Sequence, residues 1–154
     1  LDMHCAPGGQ TGDNIDDSWG HPFLFDDAAS RKLFIDVWVK LAKRYNKETT
    51  VIGYDLLNEP IAHFFDTAHF NPLLEPLYKE VTAAIRAVDK NHLIFLGGAQ
   101  WNSNFRVLTV NWFIHFINTG RQQRLMLYRI ISTSAINTRC PSIVGKPVKI
   151  MMNG

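Results

Sequence analysis

The tripeptide Asn58-Glu59-Pro60 carries the most pointed chemistry in the chain. It closes the run Val51-Ile52-Gly53-Tyr54-Asp55-Leu56-Leu57, which is nearly all apolar and of strand length. A strand buried on both faces of a parallel sheet reads this way, and a proline ends it because it cannot donate to the ladder. A carboxyl group just past the C-terminal end of such a strand lies at the face where parallel-sheet enzymes collect their catalysts. Apolar surroundings favour the protonated carboxyl, the form a general acid needs. The amide beside it suits a hydroxyl-rich ligand. Taken alone, the tripeptide reads as well as a polar strand end with a turn-forming proline.

The elements that must position Glu59 can be read on either side of it. Residues 1–5 are a short apolar run containing His4, stopped by Pro7-Gly8-Gly9. A long acidic loop follows, reaching Pro22. A helix is expected next, with Asp26 or Asp27 as N-cap and Leu33, Phe34, Val37, Trp38, Leu41 and Tyr45 on one face. After Pro60, a second helix is expected with Asn71 as N-cap and Pro72 at its first position. Its buried stripe is Leu73, Leu77, Val81, Ala84, Ile85 and Val88. Leu93-Ile94-Phe95-Leu96 then reads as another buried strand closed by Gly97-Gly98. The order β-loop-α-β-loop-α-β implies βαβ units and a parallel sheet, hence an α/β fold. Three strands leave much apolar surface open, so residues 1–105 read as a slice of something larger.

Composition sets the outer limits. The 154 residues suffice for one ordinary domain, and the 46% apolar share is normal for a globular protein. A formal net charge of +2 gives no case for nucleic acid or an anionic membrane surface. No apolar run approaches the roughly 20 residues that span a bilayer. Leu1-Asp2-Met3-His4 has neither the basic start nor the apolar core of a signal peptide. It looks like mid-strand, so the chain is expected to begin inside a gene, and its compartment cannot be read from it. Cys5 and Cys140 give neither a disulfide framework nor metal-ligand spacing.

Three strings together resemble glycoside hydrolases of family 5, the cellulase type. They are Leu1-Asp2-Met3-His4-Cys5-Ala6-Pro7-Gly8, then Tyr54-Asp55-Leu56-Leu57-Asn58-Glu59-Pro60, then Ala84-Ile85-Arg86-Ala87-Val88-Asp89-Lys90-Asn91-His92. They occur in the family's order and at about its spacing, over residues 1 to about 105. The resemblance implies a partial (β/α)8 TIM barrel: barrel strand 3 ending at His4, strand 4 at Glu59 and strand 5 near Trp101. It makes Glu59 the catalytic acid/base and puts Asn58 on the sugar 2-hydroxyl. His4 lines the same subsite, and Trp101 after strand 5 is a candidate to stack on a sugar ring. Trp19 is a weaker candidate, for which core packing or simple exposure is at least as good a reading. Asp16 and Asp17, two acids in a solvated loop, stay outside the site. The implied partner is a β-glucan or related polysaccharide or oligosaccharide, with no metal, no organic cofactor, no nucleic acid and no membrane. A secreted or extracytoplasmic location follows from the resemblance alone.

Retaining glycosidases need a second carboxyl group, a nucleophile about 5–5.5 Å from the acid/base. The family takes it from strand 7, in a string like Gly-Glu-x-Gly-Glu. Here the last acid is Asp89, and residues 106–154 contain no Asp or Glu. Read one frame over, however, residues 113–120 can encode YTFHKYW, very like the family's strand 6 string. Residues 132–140 can give DFRDKYxV, like the helix before strand 7. Residues 142–154 can encode Y-x-GETGENNDEW, very like the nucleophile string. Met151-Met152-Asn153 must then give Asp followed by Glu, because Met has one codon. A net one-base loss near codons 106–108 is therefore expected, in the gene or its sequencing. Residues 1–105 would be the barrel part and 106–154 an irregular, out-of-frame tail without a native fold. The competing reading is a catalytically dead carbohydrate-binding or vestigial product. Another barrel hydrolase, such as a mannanase, would share the chemistry.

Overall fold

A computed structural model describes residues 1–109. Its elements are α1 (Phe23–Asp26), α2 (Ala28–Tyr45), β1 (Gly53–Asp55), α3 (Thr67–Arg86), β2 (Leu93–Phe95) and α4 (Ala99–Asn102). The strands are parallel, with Gly53 beside Leu93, Tyr54 beside Ile94 and Asp55 beside Phe95. Gly53 has to be glycine because a Cβ there would meet the Leu93 carbonyl oxygen at 2.4 Å. The expected third strand is reduced to one parallel bridge, Asp2 to Asp55. Only Leu1–Met3 run beside β1 before the chain bends: Asp55 N–H donates to Leu1 O, Met3 N–H to Asp55 O and Asn58 N–H to Met3 O. Three residues support those bonds without making a ladder.

Asp27 caps α2, its carboxylate accepting from the Ser30 amide at 2.7 Å. This is the reach an N-cap needs to satisfy an otherwise orphaned N–H. The buried positions of α2 are Phe34, Trp38 and Ala42, spaced by four. Leu33, expected on that face, is exposed instead.

The second long helix begins five residues before the expected start. Asp66, not Asn71, is its N-cap, accepting from the Ala68 and His69 amides. Pro72 and Pro76 therefore lie inside α3, each removing one intrahelical bond. Both face solvent, and so does Ala68. The carbonyls that lose their partners, on Ala68 and Pro72, can thus bond to water. Burial of Phe70, Leu74, Leu77, Tyr78, Val81 and Ile85 on the opposite face offsets the loss. Each buried side chain of this kind contributes roughly 1.5–3 kcal/mol.

Three aromatic side chains tie helices and loops to the strands through their polar tips. Trp38 is fully buried and its Nε1 donates to Leu56 O at 3.2 Å. Tyr78 donates to Gly97 O at 2.9 Å. Tyr54 donates to Asp89 Oδ2 at 2.6 Å, and the same carboxylate meets His92 Nδ1 at 2.6 Å. Leu56 directly follows β1 and Gly97 lies two residues past β2, so α2 and α3 fix the heights of both strand ends. Residues 106–154 are expected to form an irregular tail, yet Leu108 joins the core. Glu75 of α3 accepts from both the amide and the hydroxyl of Thr109. The rest of the expected tail lies outside the described residues.

Candidate active site

β1 ends at Asp55, and four residues carry the chain from there to Glu59. Leu56 and Leu57 are fully buried; Asn58 and Glu59 emerge half-buried at the rim. Glu59 and Ile61 both adopt left-handed backbone, with φ of +46° and +54°. A non-glycine residue in that region costs of order 1–3 kcal/mol and recurs at functional sites. Nothing in the sequence signals this strain, which only tertiary contacts can impose.

His4 comes to this rim from a separate strand end. Its Nε2 lies 3.3 Å from Asn58 Nδ2, and its Nδ1 lies 3.0 Å from the Asp2 carboxylate. One tautomer serves both contacts: Nδ1–H donates to Asp2 and Nε2 accepts from the Asn58 amide. The amide oxygen of Asn58 is then left for another donor, such as a ligand hydroxyl.

Trp101 reaches the same rim through its backbone, donating to Pro60 O at 3.3 Å. It sits in α4 with left-handed dihedrals, as does Gln100. Its ring stands edge-on to His63 at 4.4 Å and near Phe64 at 5.9 Å. Its buried Nε1 has no hydrogen-bond partner among the described residues. The ring is half-buried against the loop that follows Glu59. Trp19, by contrast, is 90% exposed. Asp16 is a loop organiser: its carboxylate accepts from the Gln10, Thr11 and Ser18 amides. Asn71, displaced from its expected capping role, pairs with Gln100.

Two side chains overlooked in the sequence matter to the rim. Gln10, buried in the loop after Pro7-Gly8-Gly9, bonds to both strand ends, and Asp2 orients His4. A glutamine in a glycine-rich loop gives no local signal of burial. Beneath the rim, Asp55 has its pKa raised to about 7 by burial and by the neighbouring Asp2 carboxylate. Among the described residues no group of three or more His, Cys, Asp or Glu could hold a metal ion. Nor is any described helix long and apolar enough to cross a membrane.

Comparison with known proteins shows the family and the fold. Residues 1–127 match the model of the cellulase family, glycosyl hydrolase family 5. Endoglucanase C of Acetivibrio thermocellus is 37% identical over 103 residues, 67% of this chain and 27% of that protein. A β-xylosidase of Phanerodontia chrysosporium is 37% identical over 108 residues, 68% of this chain and 21% of that protein. The fold is similar to a crystal structure of a glycoside hydrolase, with a TM-score of 0.58 and 23% identity over 75% of this chain and 33% of that one. The chain thus spans about a quarter of the length of these curated relatives. With the sequence match, the parallel βαβ order and the shared α/β glycoside hydrolase fold in agreement, this chain belongs to glycosyl hydrolase family 5.

Proposed function

We propose that residues 1–105 are barrel strands 3 to 5, with their helices, of a retaining glycoside hydrolase acting on β-linked glucans. Glu59 is the acid/base: it protonates the leaving oxygen, then deprotonates the water that releases the glycosyl-enzyme. Asn58 holds the 2-hydroxyl of the sugar at the cleavage point, His4 lines the same subsite, and Trp101 borders it. The observation that carries this reading is the meeting of His4 and Asn58, from two different strand ends, immediately beside Glu59. The glycan is a β-glucan or a related polysaccharide, and the complete enzyme works outside the cytoplasm without a metal or organic cofactor.

The nucleophile belongs to barrel strand 7, which residues 142–154 encode in the shifted frame. The family match runs on to residue 127, beyond the boundary at 106. The nucleotide sequence decides between a broken frame and a divergent one. A non-catalytic product is the second reading, favoured by the absence of any acid after Asp89. Restoring the frame and the preceding strands, then assaying soluble β-glucans, separates the two. Activity abolished by Glu59→Gln supports the first, and no activity on any β-glycan supports the second.

A further inference from the structure

Gln10 is fully buried, and every polar group it owns is engaged. Its side-chain Nε2 donates to His4 O at 2.8 Å and to Asn58 O at 2.9 Å, while Oε1 accepts from Ala6 N at 3.0 Å. Its backbone amide donates to Asp16 Oδ2 at 2.8 Å, and its backbone carbonyl accepts from Ile61 N at 2.8 Å. Glu59 and Pro60 lie between Asn58 and Ile61. One residue therefore grips the chain on both sides of Glu59, the carbonyl before it and the amide after Pro60. The gripped segment contains the left-handed residues Glu59 and Ile61. Such backbone persists only where its surroundings over-determine it. The next amide along, Ala62 N, is held by Thr11 O at 3.0 Å, which continues the same seam.

We propose that Gln10 is a positioning residue, which holds the left-handed backbone of Glu59 and registers the His4 strand end against it. The catalytic part of this inference rests on the reading of Glu59 as acid/base; the clamp itself does not. Only a primary amide fits the place. Two hydrogens on one nitrogen serve two carbonyls, and the oxygen serves an amide. Glutamate is isosteric but sets an acceptor against two acceptors, and leucine leaves all three backbone groups unpaired in the interior.

The test uses the complete enzyme. In the wild type, NMR should find both side-chain amide protons of Gln10 protected from exchange. Fast exchange overturns the clamp, whatever the enzyme's activity. Gln10→Leu and Gln10→Glu are then compared with wild type on a β-glucan oligosaccharide, a poor leaving group, and on an aryl β-glycoside with an acidic phenol leaving group. Misplacing the acid/base weakens protonation, on which the poor leaving group depends more. The ratio of the two kcat/KM values should therefore fall about 10-fold or more in folded variants. A residue that merely holds the fold would scale both activities equally, so an unchanged ratio overturns the positioning role. Gln10→Glu, which conserves volume, carries this arm if Gln10→Leu does not fold. A wild type inactive on both substrates, with Gln10 protected, sinks the acid/base reading and leaves the clamp standing.

Discussion

The imidazole of His4 lies 3.3 Å from the side-chain amide of Asn58, although 54 positions separate them in sequence. The contact fixes more than proximity. Because Asn58 Nδ2 donates, His4 Nε2 must accept, and the proton sits on Nδ1 facing Asp2. The carboxylate of Asp2 thus sets the tautomer, and the tautomer sets which atom of Asn58 faces outward.

This relay predicts a spectroscopic result. In the complete enzyme, nitrogen NMR of the neutral His4 imidazole should show a protonated Nδ1 and a bare Nε2. Asp2→Ala should shift the population toward protonated Nε2 and weaken ground-state binding of an oligosaccharide several-fold. A wild-type imidazole protonated at Nε2 would break the relay.

Glu59 is tested by an isosteric change. Glu59→Gln keeps the shape at the rim but has no acidic proton to give the leaving oxygen. In the frame-restored enzyme, kcat on β-glucan should drop by roughly 10²–10⁴-fold, the range of general acid–base catalysis. Exogenous azide should restore turnover of aryl β-glycosides, since a small anion can then attack without a general base. Undiminished hydrolysis of β-glucan by Glu59→Gln would remove Glu59 from the mechanism.

Legibility differed between elements for physical reasons. β1 and α2 could be read because burial sets their apolar pattern, and Asp27 is a local cap; β2 was read as a buried strand, yet Leu93, Ile94 and Phe95 are only half-buried beside the open sheet edge. The start of α3 could not. Asn71-Pro72 is a good local cap, but burial of Phe70 and the Asp66 cap extend the helix past it, and a solvent-facing proline is cheap enough to lose. The place of Asn58 and Glu59 just past β1 was legible because a mostly apolar run stops there at a proline. Gln10 was not, because its side chain's partners are backbone atoms of residues 4, 6 and 58, which no local pattern encodes. The left-handed backbone of Glu59 was hidden for the same reason.

The loop before β2 makes a pH prediction. Burial works against ionisation of Asp89, but hydrogen bonds from Tyr54, the Asn91 and His92 amides and the His92 ring outweigh it and hold its pKa below the usual value. The folded state thus favours the carboxylate. A depressed pKa contributes stability that is complete above the unfolded value of about 3.9 and is lost as pH falls through the folded one. Asp89→Asn should destabilise the complete enzyme at pH 7 by about 3 kcal/mol, since it weakens a buried network in which the carboxylate joins Tyr54 to His92. Its stability should also fall less than that of wild type as pH drops below about 4. Urea melts at pH 7 and pH 3 measure both effects, and parallel losses in the two proteins would disprove the carboxylate's role.

The 154-residue chain itself should neither hydrolyse a glycan nor unfold cooperatively. Two independent deficits lead there. Double displacement needs a second carboxylate to form the glycosyl-enzyme, and the chain has no acid after Asp89. The two short strands, even with the bridge at Asp2, leave sheet edges that a closed barrel would pair. Large apolar groups such as Ile52 and Phe64 stand exposed on the described part. On the shifted-frame reading proposed for residues 106–154, that stretch was never selected to cover them. Purified chain should therefore aggregate or melt without a single transition, and should leave soluble β-glucans intact. The frame-restored enzyme with its preceding strands should do the opposite on both counts. Calorimetry and a reducing-sugar assay on the two proteins decide the matter. One sharp melting peak from the 154-residue chain, or turnover that Glu59→Gln abolishes in it, would show that residues 106–154 complete the fold and that no frame was lost.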